Sequence, residues 1–505
     1  MNVYSGRTGG LLLHLQGQRT GDHFGWSVSG LGDYDSDGFG DLIVGAPLHE
    51  WTEATGGIDR GAVYLISGID GHQIWKYGGV SDDSWLGWVV LGLGDIDGNG
   101  QLDYAMSEPG MDLIMTGEIG RVTIMTTGSF PMAHDFLGED AGDYFGYSMA
   151  NIGDVTGDGR VDLVVGAPYY DTGFALPAGR AYLCKLVQPP AAPIPLMTGS
   201  STGGHLGFSV GGGFDFDADG VGDFALGEPY YKIGGIPRGR VRVLSGATLS
   251  LAQTINGTDD DLLGYSVAGL ADADGDGHGD LMVGLPGGDI GGNVDFGVAR
   301  MYSGATWQAG FEINGYHADE RMGHCVASAG DLNADGASDI ICGANSSDLH
   351  GTNCGRVRVV LGNTSFPSAY CTAKTNSVFC IPSIFYTGCP SASIGDNFRI
   401  HASSVLLNKV GLLIWSRSAA SIPFSEGTLC LGAPVRRTPG QTAYAQPAGQ
   451  NCIGAYDYHF SQAYMAAQTV NAGDQIYAQH WSRDPGFPPP NNVGLTNALH
   501  VTILP

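Results

Sequence analysis

The sequence predicts an all-β protein: a β-propeller of six blades, with a partial seventh left open, followed by a small β-sandwich-like domain. Three observations lead there. An acidic loop of the form Asp-x-Asp-x-Asp-Gly-x-x-Asp, with minor variations, returns six times, its first acids at Asp33, Asp95, Asp154, Asp215, Asp272 and Asp331. The steps between them are 62, 59, 61, 57 and 59 residues, and a fixed period of this size marks a repeat architecture. Glycine is far above ordinary usage, at 83 of 505 residues, with no collagen period, so turns dominate over long helices.

Each repeat reads as four strands. In the first, FGWSVSGLG alternates, the acidic loop 33–41 follows, and DLIVGAP is a short apolar run suited to a strand buried on both faces. A polar connection spans 48–60. GAVYLISG is then a third strand and HQIWKYGG a fourth, parted by a turn at Ile69-Asp70-Gly71. Four antiparallel strands make one propeller blade. The third strand recurs as GRVTIMTTG at 120, GRAYLCKL at 179, GRVRVLSG at 239, GVARMYSG at 297 and GRVRVVLG at 355. Near the N-terminus, NVYSG and LLLHLQG look like third and fourth strands of a preceding unit. They complete a partial seventh blade, or LLLHLQG pairs beside GRVRVVLG and closes a six-bladed ring; either solution protects a sheet edge.

The acidic loops raise a chemical question, because four carboxylates within nine residues repel one another. Oxygen donors gathered in a flexible loop suit calcium. The candidate ligands are Asp33, Asp35, Asp37 and Asp41; Asp95, Asp97, Asn99 and Asp103; Asp154, Thr156, Asp158 and Asp162; Asp215, Asp217, Asp219 and Asp223; Asp272, Asp274, Asp276 and Asp280; and Asp331, Asn333, Asp335 and Asp339. A solvated acidic turn explains one such loop; six in period favour calcium in up to six structural sites. An EF-hand is excluded, since position 12 of the first loop is Val44 and the flanks are strands. Thr156, Asn99 and Asn333 lower the ligand charge of the third, second and sixth loops.

The formal net charge is −28, from 51 acids and 23 bases; six bound divalent cations would bring it to −16. No basic cluster with interleaved aromatics occurs, which argues against nucleic acid as a partner. No apolar run approaches the length of a membrane span, and MNVYSGRTGGLLLHLQG lacks the pattern of a secretory leader. Of nine cysteines, Cys371, Cys380, Cys389, Cys430 and Cys452 crowd into the last 135 residues. That placement suggests disulfides, with Cys430–Cys452 and Cys371–Cys380 as plausible bridges, and a secreted or cell-surface location. Cys184 is the most isolated candidate for a free thiol.

The string Phe-Gly, Ser-Val, acidic loop, Gly-Ala-Pro resembles the FG-GAP repeat of integrin α-subunit propellers, over about residues 2–362. The resemblance implies calcium in the loops on one face and ligand-binding loops on the opposite face. It departs at Met106-Ser107-Glu108-Pro109, at Thr156 and at Gly343-Ala344-Asn345. On the implied binding face, the connections after the Gly-Ala-Pro segments hold Trp51, Tyr169, Tyr170, Phe174, Tyr230, Tyr231 and Arg238. These form an aromatic platform with a cation for a sugar ring or a surface protein, or else the rings pack inward. GFSVG at 207–211 fits a nucleophile elbow, but GWSVS, GYSMA and GYSVA repeat it at 25, 146 and 264. Ser209 is therefore a repeated strand position in a context without a following helix.

Residues 363–505 drop the period and gain Pro, Ser and Cys. NFRIHASSVLLNKVGLLIWSRS and GDQIYAQHWSRD read as strands of a β-rich domain, similar to the C-terminal region of uncharacterised secreted bacterial propeller proteins. His401, His459, His480 and His500 show no ligand spacing. The domains are thus 1–362 and 363–505. The leading function is adhesion or recognition of a glycan or surface protein by a non-enzymatic calcium-binding propeller. A polysaccharide lyase or hydrolase, and a structural cell-surface component, are the alternatives.

Overall fold

The apolar run after each acidic loop becomes the second strand of an antiparallel sheet in the computed structural model. The structure describes all residues except 7–8, 51–57, 113–116, 128–131, 174–175, 187–190, 259–260, 289–294, 316–318, 335, 348–354, 363–367, 371–372, 379–381, 388–391, 393–397, 426, 446–453, 490 and 504–505. Two compact units divide the chain, one holding nearly all of residues 1–362 and the other residues 363–505.

Five blades of the first unit are complete, with their four strands in sequence order. Blade 1 comprises Val28–Gly32, Asp41–Ala46, Ala62–Ile66 and Gln73–Gly78. Blade 2 comprises Val90–Gly94, Asp103–Glu108, Arg121–Thr126 and Met132–Leu137, and blade 3 Ser148–Asn151, Asp162–Ala167, Arg180–Lys185 and Ile194–Thr198. Blade 4 holds Ser209–Phe214, Asp223–Glu228, Arg240–Leu244 and Leu251–Asn256, with a small hairpin, Lys232–Ile233 and Ile236–Pro237, in its connection. Blade 5 holds Ser266–Leu270, Asp280–Leu285, Val298–Tyr302 and Ala309–Asn314. Among the described residues, blade 6 shows three strands, Met322–Gly330, Asp339–Ala344 and Arg356–Val360. The N-terminal strands Asn2–Tyr4 and Leu11–His14 pair with each other, so they are a half-blade in their own right. That outcome favours the partial seventh blade over pairing beside GRVRVVLG.

Blade-to-blade contact explains the motif letter by letter. The serine two residues after the Gly of Phe-Gly or Leu-Gly donates its hydroxyl to the Gly carbonyl of the next blade: Ser27 to Gly87 at 2.8 Å, Ser148 to Gly207 at 2.7 Å, Ser209 to Gly264 at 2.8 Å and Ser266 to Gly323 at 2.9 Å. The glycine of Gly-Ala-Pro lies under that carbonyl. A Cβ on Gly227 would stand 2.1 Å from the Gly264 oxygen, closer than any side chain tolerates. Blade 2 exchanges both partners: Val89 replaces the serine and Ser107 the glycine, and the Val89 N–H now donates to the Ser107 hydroxyl at 3.0 Å. Ser209 is therefore a structural clip, and the nucleophile-elbow pattern is incidental.

Between blades the core is aliphatic. Val241 and Val243 of blade 4 pack against Leu281, Val283 and Leu285 of blade 5, and Val63 and Leu65 of blade 1 against Tyr104 and Met106 of blade 2. Removing such side chains from water is the dominant favourable term.

The second unit is a sandwich. One sheet runs Ser368–Tyr370, Val493–Thr502, Gln475–Arg483, Val410–Ser416 and Arg436–Arg437, with Gln441–Thr442 also on Val410–Ser416. The other runs Ser383–Thr387, Arg399–Val405, Gly454–His459 and Tyr444–Ala445. Ile384, Phe398 and Ile400 meet Leu413, Trp415, Ile476 and Leu499 in its core. A short helix, Gln462–Ala467, was not read from the sequence; Ser461 caps it, accepting the Tyr464 N–H. Cys430 is buried and disulfide-bonded. Its expected partner Cys452 lies outside the described residues, as do Cys371, Cys380 and Cys389. Cys184, Cys325 and Cys342 are free, so Cys184 is one of several free thiols.

Candidate functional site

Two constellations sit at opposite ends of the blade strands. At one end, the acidic loops join first and second strands. The opening acid of each loop folds it: Asp33 accepts the N–H groups of Asp37 and Gly38 at 2.9 and 3.0 Å, and Asp272 those of Gly275, Asp276 and Gly277. The ninth-position acid is buried and ties the loop to the blade. Asp41 accepts from Tyr34 at 2.8 Å and from Gly68, at the end of the third strand, at 2.9 Å. Asp103 does so with Ile96 and Thr127, Asp223 with Phe216 and Gly246, and Asp280 with Ala273 and Gly304.

Carboxylates of these loops, opening and ninth-position acids among them, also converge. Candidate ligand oxygens lie within 4.8 Å of one another in four sets: Asp33, Asp35 and Asp37; Asp95, Asp97 and Asp103; Asp215, Asp217 and Asp223; and Asp272, Asp274 and Asp276. Burial, with crowding by Asp276 and Asp272, pushes Asp274 up to about 6; burial pushes Asp223 to about 6 and Asp280 to about 7. Several carboxylate oxygens gathered this closely are hard donors of the kind that fits a divalent cation. Among the described residues, the third loop, with Thr156 beside Asp154, Asp158 and Asp162, forms no such set, nor does the sixth, where Asp331, Asn333 and Asp339 are described and Asp335 is not. Asn99 of the second loop donates to the Thr127 carbonyl at 2.7 Å, and Asp219 accepts the Val221 N–H at 2.8 Å.

At the other end lies an aromatic belt. The residue after each Phe-Gly or Leu-Gly contributes one ring per blade, in order: Trp26, Trp88, Tyr147, Phe208, Tyr265 and, after Met-Gly in blade 6, His324. Consecutive centroids are 4.8, 5.2, 5.2, 4.9 and 5.1 Å apart. A second tier joins it. Trp85 stacks on Tyr144 at 5.7 Å, Tyr144 meets Tyr169 at 5.1 Å, and His205 lies between Tyr169 and Tyr230 at 4.9 and 5.3 Å. Most of these rings are half-buried, with Trp26 and Tyr169 exposed. Burial lowers the His205 and His324 pKa values, aided at His324 by Arg321, and raises those of Tyr147, Tyr230 and Tyr265. The belt is therefore an uncharged π surface at neutral pH.

Of the seven residues expected to form the platform, the structure brings together Tyr169 and Tyr230. Tyr170 and Tyr231 are not part of it. Each lies under an arginine of its own blade, Arg180 at 3.6 Å and Arg240 at 3.5 Å from the ring centre, because the third strands of those blades open with arginine. Arg238 gives its guanidinium to the Thr258 carbonyl. Trp51 and Phe174 lie outside the described residues. The main belt lies at or just before the start of the first strands, outside the variable connections that follow the Gly-Ala-Pro segments. Its signal was the aromatic or imidazole residue repeated after the Gly of the first strand.

Comparison with known proteins agrees with this geometry. The FG-GAP repeat model matches residues 24–66 and 145–184. The chain carries an FG-GAP propeller of the integrin alpha type. It is 33% identical to integrin alpha-IIb of Homo sapiens over 219 residues, 41% of this chain and 20% of that protein. Integrin alpha-V of Gallus gallus is 30% identical over 221 residues, 41% of this chain and 21% of the relative, and integrin alpha-PS2 of Drosophila melanogaster 32% over 226 residues, 41% and 15%. This FG-GAP chain thus spans about a fifth or less of the length of those relatives.

Proposed function

We propose that this FG-GAP chain is an extracellular, calcium-stabilised adhesion or recognition module whose partner docks on the aromatic belt. The observation that carries the reading is the unbroken run of rings from Trp26 to His324, one per blade, at the end of the strands away from the acidic loops. Such a surface offers π faces in a molecule of net charge −28. Both features favour a basic side chain presented by a surface protein. The similarity to integrin alpha subunits supports a protein partner. A glycan is the second reading, carried by the exposed indole of Trp26, whose face suits a sugar ring. No helix among the described residues is long and apolar enough to cross a membrane. The Cys430 disulfide fits an oxidising compartment.

The ion ligands in this reading are the acids of the six loops, with calcium as the cation. Their role is structural: the cation removes carboxylate repulsion between the first two strands of a blade. The test is binding of the folded protein to Lys- and Arg-bearing peptides and to a glycan array, with calcium and with chelator. Trp85→Ala with Tyr169→Ala is expected to lower binding at least tenfold while the melting temperature stays within a few degrees of wild type. Unchanged binding by that variant would move the function off the belt.

A further inference from the structure

A buried carboxylate recurs in all six blades, at the strand ends away from the acidic loops: Asp22, Glu108, Asp143, Glu228, Asp261 and Glu320, none more than 7% exposed. In four blades it stands two residues before the Phe-Gly, Leu-Gly or Met-Gly pair. Blades 2 and 4 have Ser84 and Gly204 there, and the second strand supplies the group instead, as Glu108 and Glu228. A Cβ on Gly204 would lie 2.5 Å from Glu228 Oε1, so the two sources fill one place. A buried charge needs a partner. Where the third strand opens with arginine, that residue provides it. Arg121 and Arg240 donate to Glu108 and Glu228, Arg356 reaches Glu320 at 3.3 Å, and Arg180 favours the ionised form of Asp143. A guanidinium does not lose its proton in a protein, so these four are fixed pairs.

Blade 1 departs from that pattern. Its third strand opens with Ala62, and Asp22 is met by His49, whose Nδ1 lies 2.7 Å from the carboxylate. A carboxylate only accepts, so the ring proton sits on Nδ1 and Nε2 is left as an acceptor. Lys76, on the fourth strand, fills it. Its Nζ lies 2.8 Å from His49 Nε2, 2.9 Å from Gln18 Oε1 and 4.9 Å from the centre of the Tyr64 ring. Asp22 and His49 are buried, whereas Lys76 is half-buried and open to solvent on one side. Burial lowers the pKa values of His49 and Lys76, with Arg19 adding to the effect and Asp22 opposing it. Burial near Asp22 pushes the Tyr64 hydroxyl up to about 12, so it keeps its proton. Neutralising Asp22 needs no more than the arginine used elsewhere. Blade 1 has instead a carboxylate, an imidazole and an amine in line, with protons that can leave.

We propose that Lys76 is a reactive amine, activated by His49 and Asp22, that captures an aldehyde as a Schiff base. His49 Nε2 takes a proton from the Lys76 ammonium, and Asp22 stabilises the imidazolium so formed. The freed Nζ lone pair attacks the aldehyde carbon, and the π pair of the C=O bond moves to the oxygen. That oxygen takes one proton from the attacking nitrogen and one from His49, and leaves as water while the C=N bond forms. One ammonium and one aldehyde thus give one iminium and one water, with charge conserved and no change of oxidation state. Desolvation of a lysine beside a base is the usual route to an amine that reacts near neutral pH. The open-chain end of a sugar and an oxidised lysine side chain of a protein both carry such an aldehyde.

The chain has five lysines, Lys76, Lys185, Lys232, Lys374 and Lys409, so adducts on the full protein can be read residue by residue by peptide mass spectrometry. The probes are butanal, with the carbon frame of an oxidised lysine side chain, and glycolaldehyde, with that of an open-chain sugar end. Cyanoborohydride delivers hydride to the iminium carbon and fixes the adduct as a secondary amine. At neutral pH, Lys76 is expected to be modified roughly tenfold or more faster than the exposed Lys232, and the faster probe identifies the source of the aldehyde. His49→Gln should abolish that advantage and leave Lys232 unchanged. The wild-type pH profile tests the same point without a variant. With Asp22, Arg19, His49 and Tyr64 facing its amine, Lys76 should stay reactive to lower pH than Lys232. Equal rates at the two lysines with both probes, an undiminished Lys76 rate in folded His49→Gln, or coincident pH profiles would overturn the proposal and leave Asp22, His49 and Lys76 as an ion-pair clip.

Discussion

Blade 4 and blade 6 contain the same four letters in their third strands, Arg240-Val241-Arg242-Val243 and Arg356-Val357-Arg358-Val359. In both, the first arginine pairs with a buried glutamate: Arg240 with Glu228 at 2.6 Å and Arg356 with Glu320 at 3.3 Å. Yet the valines of blade 4 are fully buried and those of blade 6 lie open. Nothing local distinguishes the strands. Burial here belongs to the neighbouring blade, because one sheet face is covered only when the next unit supplies an apolar second strand. A repeat protein is stabilised at its interfaces, and a blade facing a half-filled position keeps its secondary structure while losing that term.

The comparison is broken most sharply by one substitution made twice. Val241→Asp places an unpaired charge in a closed interface and should destabilise by about 4 kcal/mol or more, or prevent folding. Val357→Asp should change stability by no more than about 0.5 kcal/mol. Equal effects in a denaturant titration would contradict the account of blade packing.

In the sandwich unit, burial acts on a titratable ring. His480 is buried against Tyr456 with ring centres 5.3 Å apart, and burial, aided by His401, pushes its pKa down to about 3. The fold keeps it neutral, whereas an unfolded chain protonates it near pH 6.5. Its stabilising contribution is thus complete above pH 6.5. It is lost as pH falls towards 3, at about 1.4 kcal/mol per pH unit. The acid-unfolding midpoint of this unit should move to lower pH in His480→Phe, and an unmoved midpoint would assign acid sensitivity to other groups.

Smaller effects sharpen the picture. Gly227→Ala forces a Cβ against the backbone oxygen of Gly264 and should cost roughly 1–3 kcal/mol. Gly343→Ala in blade 6 meets the Cys325 sulfur instead, a side chain able to turn aside, and should cost less. Ser209→Ala removes one interblade hydrogen bond and should cost about 1 kcal/mol. Thermal melts of the three variants order these contributions, and a reversed order would mean that the clip, rather than the close approach, holds the blades.

Much of this was legible in the sequence. The spacing of Asp33, Asp95, Asp154, Asp215, Asp272 and Asp331 marked six full repeats, since a loop that ties itself to its own third strand returns once per blade, but it left a partial seventh blade open until Asn2–Tyr4 was seen to pair with Leu11–His14. The acids of the four convergent loops were legible for the same reason. Two things were not. The fate of Tyr170 and Tyr231 depends on which neighbour captures a ring, and Arg180 and Arg240 do so from a strand about ten residues further along. The open valines of blade 6 depend on strands that are not adjacent to them in the chain at all.

The central claim is that the acidic loops hold calcium and that the propeller depends on it. Calorimetric titration of calcium into chelator-stripped protein, with a melt at each end, tests it most directly. The account predicts several equivalents bound per chain. It also predicts a melting temperature raised by roughly 10 °C or more, since each site contributes about 2.7 kcal/mol at a hundredfold excess over its Kd. Asp272→Asn with Asp274→Asn should remove one equivalent. No heat of binding and an unchanged melt would contradict the claim and leave the loops as acidic turns.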